Sequence, residues 1–177
     1  VLRFEAHAAL YEGRPVEARA RLMSRWRSIV LSQQLQIQPS RVDMNLLRAQ
    51  TAIATAAASP RERSSLLAEA DKLAASLEGE VRAEAVGTAE LLRAGVASVR
   101  GDRDAALRHL LRAETVHEAS EMALHVACAR RARGALLGGS EGKSLVREAE
   151  SFMAAQGVRR PDRWMRVHLP GFERDSA

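Results

Sequence analysis

The stretch AHAALYEGRPVEARARL, from Ala6 to Leu22, places alanine, glycine, alanine and leucine at a spacing that returns in AGVASVRGDRDAALRHL, from Ala94 to Leu110. The two copies lie two steps of 44 residues apart. A small residue facing a neighbouring helix, a glycine at the turn, and further apolar residues at helical spacing are what two packed antiparallel helices require. The repeat therefore predicts a series of helix pairs.

Composition favours the same fold class. The chain has 177 residues, enough for about four helix pairs at roughly 40 residues each. It contains 33 alanines and only 3% aromatic residues, whereas a sheet core would need more β-branched and aromatic side chains. We therefore predict an all-α protein, a right-handed solenoid of about four antiparallel helix pairs.

The breaks in the pattern give the bounds of the predicted helices. The first pair is predicted over Leu2 to Tyr11 and Pro15 to Gln34, with Pro39-Ser40 ending it. The other pairs are predicted over 41–57 and 60–77, over 81–99 and 103–116, and over 121–137 and 143–155. Ser59 and Glu62 have the spacing of a capping box, and the run from Gly138 to Gly142 is predicted to be a loose turn.

The predicted repeat domain covers residues 1–157, and residues 158–177 form a C-terminal tail. Pro161 can start a short helix that carries Trp164 and Met165. Because a last repeat has no neighbour to cover its outer apolar face, we expect the tail to cap it. The alternative is a docking patch formed by Trp164, Phe172 and the tail arginines.

The net charge is +5, and 25 of the 27 basic residues are arginine. Because 22 acidic residues are interleaved with them, we expect most charges to pair on solvated helix faces. Nucleic-acid binding is an open alternative, either through Arg19, Arg21, Arg25 and Arg27 or through the cluster from Arg159 to Arg166. Cys128 lies among apolar residues and is expected to be a buried core thiol.

Two motifs resemble functional sites but depart from them. The run from Gly138 to Ser144 lacks the first glycine of a phosphate-binding loop, since residue 137 is leucine, and a helix precedes it. Glu114, His117, Glu121 and His125 would share the face of one continuous helix with zinc-ligand spacing. The repeat instead predicts a turn near Ala119-Ser120, which would separate them. We predict no catalytic residue, no cofactor and no metal.

The spacing of alanine, glycine, alanine and leucine resembles the tetratricopeptide repeat, although Glu5 and Arg93 stand where that family has apolar residues. The turn Val99-Arg100-Gly101-Asp102 and the ending from Phe152 to Phe172 are similar to the C-terminal helical-repeat region of large bacterial signalling proteins. In those proteins a serine/threonine kinase or STAND-type ATPase domain precedes the repeats. The chain also opens within a helix and without methionine, as expected for a fragment of something longer.

The resemblance implies a cytoplasmic, non-catalytic protein–protein interaction module, the C-terminal sensor or partner-binding part of a signalling protein. Its partner would be a protein, a peptide or a neighbouring domain of the same polypeptide. No involvement of a membrane is expected, because the sequence has no stretch of eighteen uncharged apolar residues. The predicted groove contacts lie on first helices of the pairs, where arginine can bind carboxylates: Arg48, Arg93, Arg130 and Arg133. A structural spacer or self-association domain is the other open alternative.

Overall fold

The computed structural model describes residues 2–80 and 83–172, which form nine α-helices and no strand. The helices are α1 (Leu2–Tyr11), α2 (Pro15–Leu31), α3 (Gln38–Ala58), α4 (Arg63–Glu78), α5 (Ala83–Arg100), α6 (Arg103–Ala119), α7 (Ala123–Leu137), α8 (Gly139–Ala155) and α9 (Pro161–His168). Two short 3₁₀ helices, Gln34–Gln36 and Pro60–Glu62, precede α3 and α4. The predicted all-α class is confirmed. The predicted helix start at Val81 lies outside the described residues.

The repeated alanine, glycine, alanine and leucine mark folds in the same way in both copies. Gly13 and Gly101 have φ of 76° and 81°, in the left-handed region that glycine adopts without steric cost. The alanines and leucines of the mark are completely buried, at 0% exposure: Ala6, Ala18, Leu22, Ala94, Ala106 and Leu110. The small side chains let the helix backbones approach closely at these turns.

Several helices begin where the sequence supplies a start signal. Proline occupies the first turn of α2, α3 and α9, where its missing N–H leaves no bond unmade. Asp102 caps α6 by accepting a hydrogen bond from the Ala105 amide at 2.9 Å. Pro39-Ser40 was predicted to end the first pair, but it lies inside the first turn of α3. The predicted capping box is also wrong, because the Ser59 side chain caps no helix amide.

Each helix packs against its neighbour in sequence from α1 to α8, and this confirms the adjacent pairs. Helix α3 additionally contacts both α1 and α5, so these three helices form a common inner layer. One cluster of buried apolar residues joins α3, α4 and α5, and a second joins α5 to α9. Many of the alanines therefore lie buried between helices, where their small side chains allow close packing.

The glycine run between α7 and α8 is helical, contrary to the predicted loose turn. Only Gly138 stands between the helices, with φ of 70°, and α8 begins at Gly139. A Cβ added to Gly134 on α7 would lie 2.6 Å from the Gly142 carbonyl oxygen on α8. The two glycines thus allow backbone-to-backbone packing. A side chain at position 142 would push α7 and α8 apart.

The C-terminal segment crosses the helix pairs instead of stacking only on the last one. Helix α9 contacts α7 and α8, as a cap would, but it also packs against α3 and most extensively against α1. Beyond α9, the Ser98 hydroxyl donates a hydrogen bond to the Gly171 carbonyl at 2.6 Å. The tail therefore links the first and last helix pairs through the inner layer.

Candidate functional site: a histidine row and an adjoining pocket

The arginines predicted to contact a partner lie on α3, α5 and α7, as expected, but each already pairs with a glutamate of the chain. Arg48 Nε donates to Glu69 Oε1 at 2.5 Å, and its guanidinium also lies over the Trp26 ring, 4.6 Å from the ring centre. Arg93 forms a two-pronged bond with Glu78, which lowers the pKa of that carboxyl. Both arginines tie a first helix to α4.

The two arginines on α7 are engaged in the same way. Arg133 Nε donates to Glu114 Oε1 at 2.6 Å, and Arg130 pairs with Glu118 and approaches Glu114 at 3.5 Å. Glu114 is 5% exposed, so its charge requires these partners. Of the four predicted residues, Arg130 is also brought to the pocket described below.

The basic residues of the nucleic-acid alternative are divided by the fold. Arg19 donates to Glu69 at 2.6 Å and Arg21 to Glu17 at 2.6 Å, whereas Arg25 and Arg27 are exposed. In the tail, the guanidinium of Arg163 lies over Tyr11, that of Arg166 packs on Gly13, and Arg160 pairs with Asp162. Three of these arginines, Arg19, Arg21 and Arg160, are thus paired with a carboxylate of the chain.

The zinc-like residues are separated by the predicted turn, but two of them meet again across it. Ser120 ends α6, and Glu121 adopts a φ of 57° at the corner. The corner folds α7 back on α6, so the rings of His117 and His125 lie with their centres 4.9 Å apart. Glu114 is held by arginines instead of facing these rings. Within residues 2–80 and 83–172, no group of three or more ligating side chains is arranged to hold a metal.

Four histidines from four helices form a row from α6 through α7 and α9 to α1. The ring centres are 4.9 Å apart for His117 and His125, 5.9 Å for His125 and His168, and 6.5 Å for His168 and His7. His168 also stacks on Trp164 at 4.2 Å. The sequence pattern gave no signal for this row, because its members come from α1, α6, α7 and α9.

Burial keeps this row neutral near pH 7. Burial first, and then the charge of neighbouring histidines, lower the pKa of His117 to about 4 and that of His168 to about 3. The pKa values of His125 and His7 are also lowered, chiefly by burial. A neutral imidazole offers one N–H donor and one acceptor nitrogen.

A pocket of about 330 Å³ opens between the α6–α7 corner and α8. His117, at 0% exposure, is one of the lining residues, but its two ring nitrogens have almost no accessible surface. The other walls are apolar, with Met122, Val126, Ala127, Ala149 and Phe152. The charged lining residues are exposed and form the rim: Glu118, Glu121, Arg130 and Glu148. Apolar walls with a few polar groups are typical of ligand sites.

Cys128 is a core residue, as predicted. Its side chain is 1% exposed and packs in the cluster that joins α5 to α9, close to Trp164. Burial raises the pKa of its thiol to about 12. The thiolate needed for nucleophilic or redox chemistry is therefore suppressed at neutral pH.

Comparison with protein-family models, with curated proteins and with solved structures finds no match to this chain. The resemblance to tetratricopeptide repeats of bacterial signalling proteins consequently stays a prediction. In the described part of the chain, no helix is both long enough and apolar enough to cross a bilayer.

Proposed function

We propose that this chain is a non-catalytic protein–protein interaction module, a right-handed solenoid of divergent tetratricopeptide-like pairs whose inner layer receives a helical segment. In this proposal, the chain is the C-terminal sensor or partner-binding part of a larger bacterial signalling protein. One observation carries it: the inner layer already holds an amphipathic helix, α9, supplied by the chain itself.

The contacts of α9 have the character of helix-in-groove recognition. Met165 and Leu169 are buried in the cluster with Leu91 and Cys128, whereas Val167 is buried with residues of α1 and α3. Three apolar side chains of one short segment thus enter two separate clusters. A partner segment with the same spacing could occupy this face when α9 leaves it.

The segment that follows α9 also packs closely on the backbone of α5. A Cβ on Gly95 would lie 2.5 Å from the Pro170 carbonyl oxygen, and one on Gly171 would lie 2.7 Å from the Gly95 carbonyl oxygen. Glycine at both positions permits the segment to lie directly on the α5 backbone. Such a close fit suits recognition of a defined segment better than a general apolar contact.

The proposal is tested by supplying the segment in trans. In the full chain, the substitutions Met165→Asp and Leu169→Asp should release α9, because a buried carboxylate without a partner is costly. A fluorescent peptide spanning residues 158–172 should then bind this variant, as measured by anisotropy, and should raise its thermal midpoint. The unaltered chain should not bind the peptide, because its own segment occupies the face.

A peptide carrying the same two aspartates is the matched control and should bind neither chain. If the variant keeps its helical circular-dichroism spectrum but does not bind the unaltered peptide, the inner layer is not a receptor. The segment would then be core alone, as the structural-spacer alternative requires. If the variant loses its helical spectrum, failure of the peptide to restore it counts equally against the proposal.

A further inference from the structure

Helix α9 carries a histidine into the contact that holds it. His168, in the last turn of α9, lies between His125 on α7 and His7 on α1, with ring centres 5.9 and 6.5 Å away. The three rings come from three different helices, and α9 packs against the other two. Two protonated rings here would repel each other across the contact between α9 and the rest of the fold.

The surroundings of these rings favour their neutral form. Burial first, and then the charges of His125 and His7, lower the pKa of His168, and burial alone lowers that of His125. The pKa of His7 is lowered by burial and by Arg3, although Asp43 on α3 acts in the opposite direction. Among the described residues, no carboxylate raises the pKa of His168 or of His125.

The acidic groups around α9 are already engaged. Four carboxylates on α9 and on the elements packed against it have arginine partners: Asp162 with Arg160, Glu150 with Arg131, Glu12 with Arg14, and Asp43 with Arg3. Helices α3 and α8 contribute apolar residues to the clusters that hold α9, namely Ala54, Ala149 and Met153. Glu84 on α5 raises the pKa of His117, which is two rings away from His168. A protonated His168 would thus gain no counterion in the docked position.

Release of α9 would remove this penalty. A histidine in water has a pKa of about 6.5, whereas docking lowers the pKa of His168 to about 3. Because the released ring takes up a proton more readily, the ratio of released to docked α9 rises as the pH falls below about 6.5. Between about pH 7.5 and about pH 5, His168 alone raises that ratio by about 30-fold. His125 and His7 act in the same direction.

A competing segment gains from this change only if it has no titrating ring at the same place. His7 and His125 belong to the receiving face, so they affect any occupant of it in the same way. A segment with an apolar or aromatic residue at the position of His168 lacks the further loss that α9 suffers in acid. Exchange of α9 for such a segment is therefore favoured about 30-fold more at about pH 5 than at about pH 7.5.

We propose that the histidine row controls access to the inner layer: acid releases α9, and the layer then accepts an apolar helical segment of a partner protein that has no histidine at the position of His168. Histidine suits this role because its charge changes in the range between neutral and mildly acidic pH. The partner step rests on the proposed function, since the partner takes the face that α9 leaves. The release of α9 is measured without any partner.

The thiol of Cys128 reports the release, because Cys128 is buried in the cluster that includes Met165 and Leu169 of α9 and lies close to Trp164. Dithiodipyridine reacts with thiols in mild acid as well as at neutral pH. Its rate with the full chain is divided by its rate with the urea-unfolded chain at the same pH. We expect this normalised rate to rise by about 30-fold or more between about pH 7.5 and about pH 5, and His168→Phe should remove about 30-fold of the rise.

Leu66→Ala is the control for global unfolding, since Leu66 packs in the cluster of α3, α4 and α5. It should lower resistance to urea without changing the normalised rate. If it accelerates the reaction as strongly as acid does, the thiol is exposed by global unfolding and the proposal is overturned. A rise below about threefold, or an equal rise in His168→Phe and the unaltered chain, overturns it as well.

The partner step is measured with two fluorescent peptides spanning residues 158–172, one unaltered and one carrying His168→Phe. Both are titrated at each pH into the chain with Met165→Asp and Leu169→Asp, whose helical spectrum is checked under both conditions. Between about pH 7.5 and about pH 5, the affinity of the unaltered peptide should fall about 30-fold more than that of the His168→Phe peptide. On the unaltered chain, only the His168→Phe peptide should bind, and only at the lower pH. This measurement also decides the role of His168 if the His168→Phe chain does not fold.

Equal pH dependence of the two peptides would overturn the proposal, because His168 would then not determine which segment occupies the inner layer. Failure of both peptides to bind at either pH would contradict the proposed function and the partner step with it. Acid-dependent exposure of Cys128 in that case would still support the release of α9, so the two failures are distinguishable.

Discussion

The histidine row makes the stability of the fold depend on pH in a range where few other groups titrate. His117 and His168 are neutral in the folded chain, with pKa values near 4 and 3, whereas an unfolded histidine has a pKa of about 6.5. The unfolded chain therefore binds more protons below about pH 6.5. Stability contributed by these groups is present above that pH and is lost as the pH falls.

The magnitude follows from the unfolded pKa. Each pKa unit corresponds to about 1.36 kcal/mol, and about pH 5 lies roughly 1.5 units below the unfolded value. Because both histidines are still almost unprotonated in the fold at this pH, each lowers the free energy of unfolding by about 2 kcal/mol. Together they should account for about 4 kcal/mol between pH 7.5 and 5.

The perturbation is His168→Phe, which removes the titrating ring but keeps an aromatic side chain against Trp164. Urea unfolding at both pH values gives the free-energy difference. We expect this difference to be smaller in the variant than in the unaltered chain by about 2 kcal/mol. Aspartate and glutamate contribute little, because pH 5 lies above their unfolded pKa values.

The control is the same pair of chains at pH 7.5 and 9, where histidine is neutral in both states. There the two chains should show equal pH dependence. A His168→Phe variant that retains the full loss of stability between pH 7.5 and 5 would refute the burial of a neutral His168 in the row.

Three further outcomes are expected. Gly134→Ala should destabilise the chain by about 1–3 kcal/mol in urea unfolding, because the new Cβ would lie 2.6 Å from the facing backbone of α8. Gly79→Ala is the control and should change stability by under about 1 kcal/mol, since Gly79 has ordinary contacts and a φ of −74°. Equal effects of the two substitutions would argue against the close approach of α7 and α8. Cys128 should resist a thiol reagent at pH 8 in the folded chain and react on unfolding, whereas rapid reaction in the native state would contradict its burial. A double-mutant cycle of Arg93→Met and Glu78→Gln should give a coupling energy of about 1 kcal/mol. A coupling near zero would show that their ion pair contributes nothing.

The sequence predicts the helices well because their signals are local. Gly13 and Gly101 adopt the left-handed conformation that a tight turn between helices needs. Proline at positions 15 and 161 starts a helix through its own backbone geometry, independently of distant contacts. The run from Gly138 to Gly142 does not form the predicted loose turn, because glycine also permits close packing of helices. Its function there depends on Gly134 of the facing helix, which no local pattern reveals.

The candidate site depends on contacts that are distant in sequence. The predicted arginines are on the expected helices, but their glutamate partners lie on neighbouring helices, so pairing within the chain could not be read from spacing. In the sequence, His117 stands out only as part of a motif that resembles a zinc site. Its burial and its unpartnered nitrogens follow from the corner at Ser120 and from Gly87 on α5, which only the folded arrangement brings together.

The docking of α9 against α1 is tested most directly by hydrogen–deuterium exchange of the full chain, read by mass spectrometry. Amides of α9 should exchange about tenfold or more slowly than those of an unstructured peptide, and Val167→Asp should accelerate exchange in both α9 and α1 while α4 is unaffected. Unprotected amides in α9, or an α1 whose exchange does not change in Val167→Asp, would contradict the docking of α9 on the inner layer.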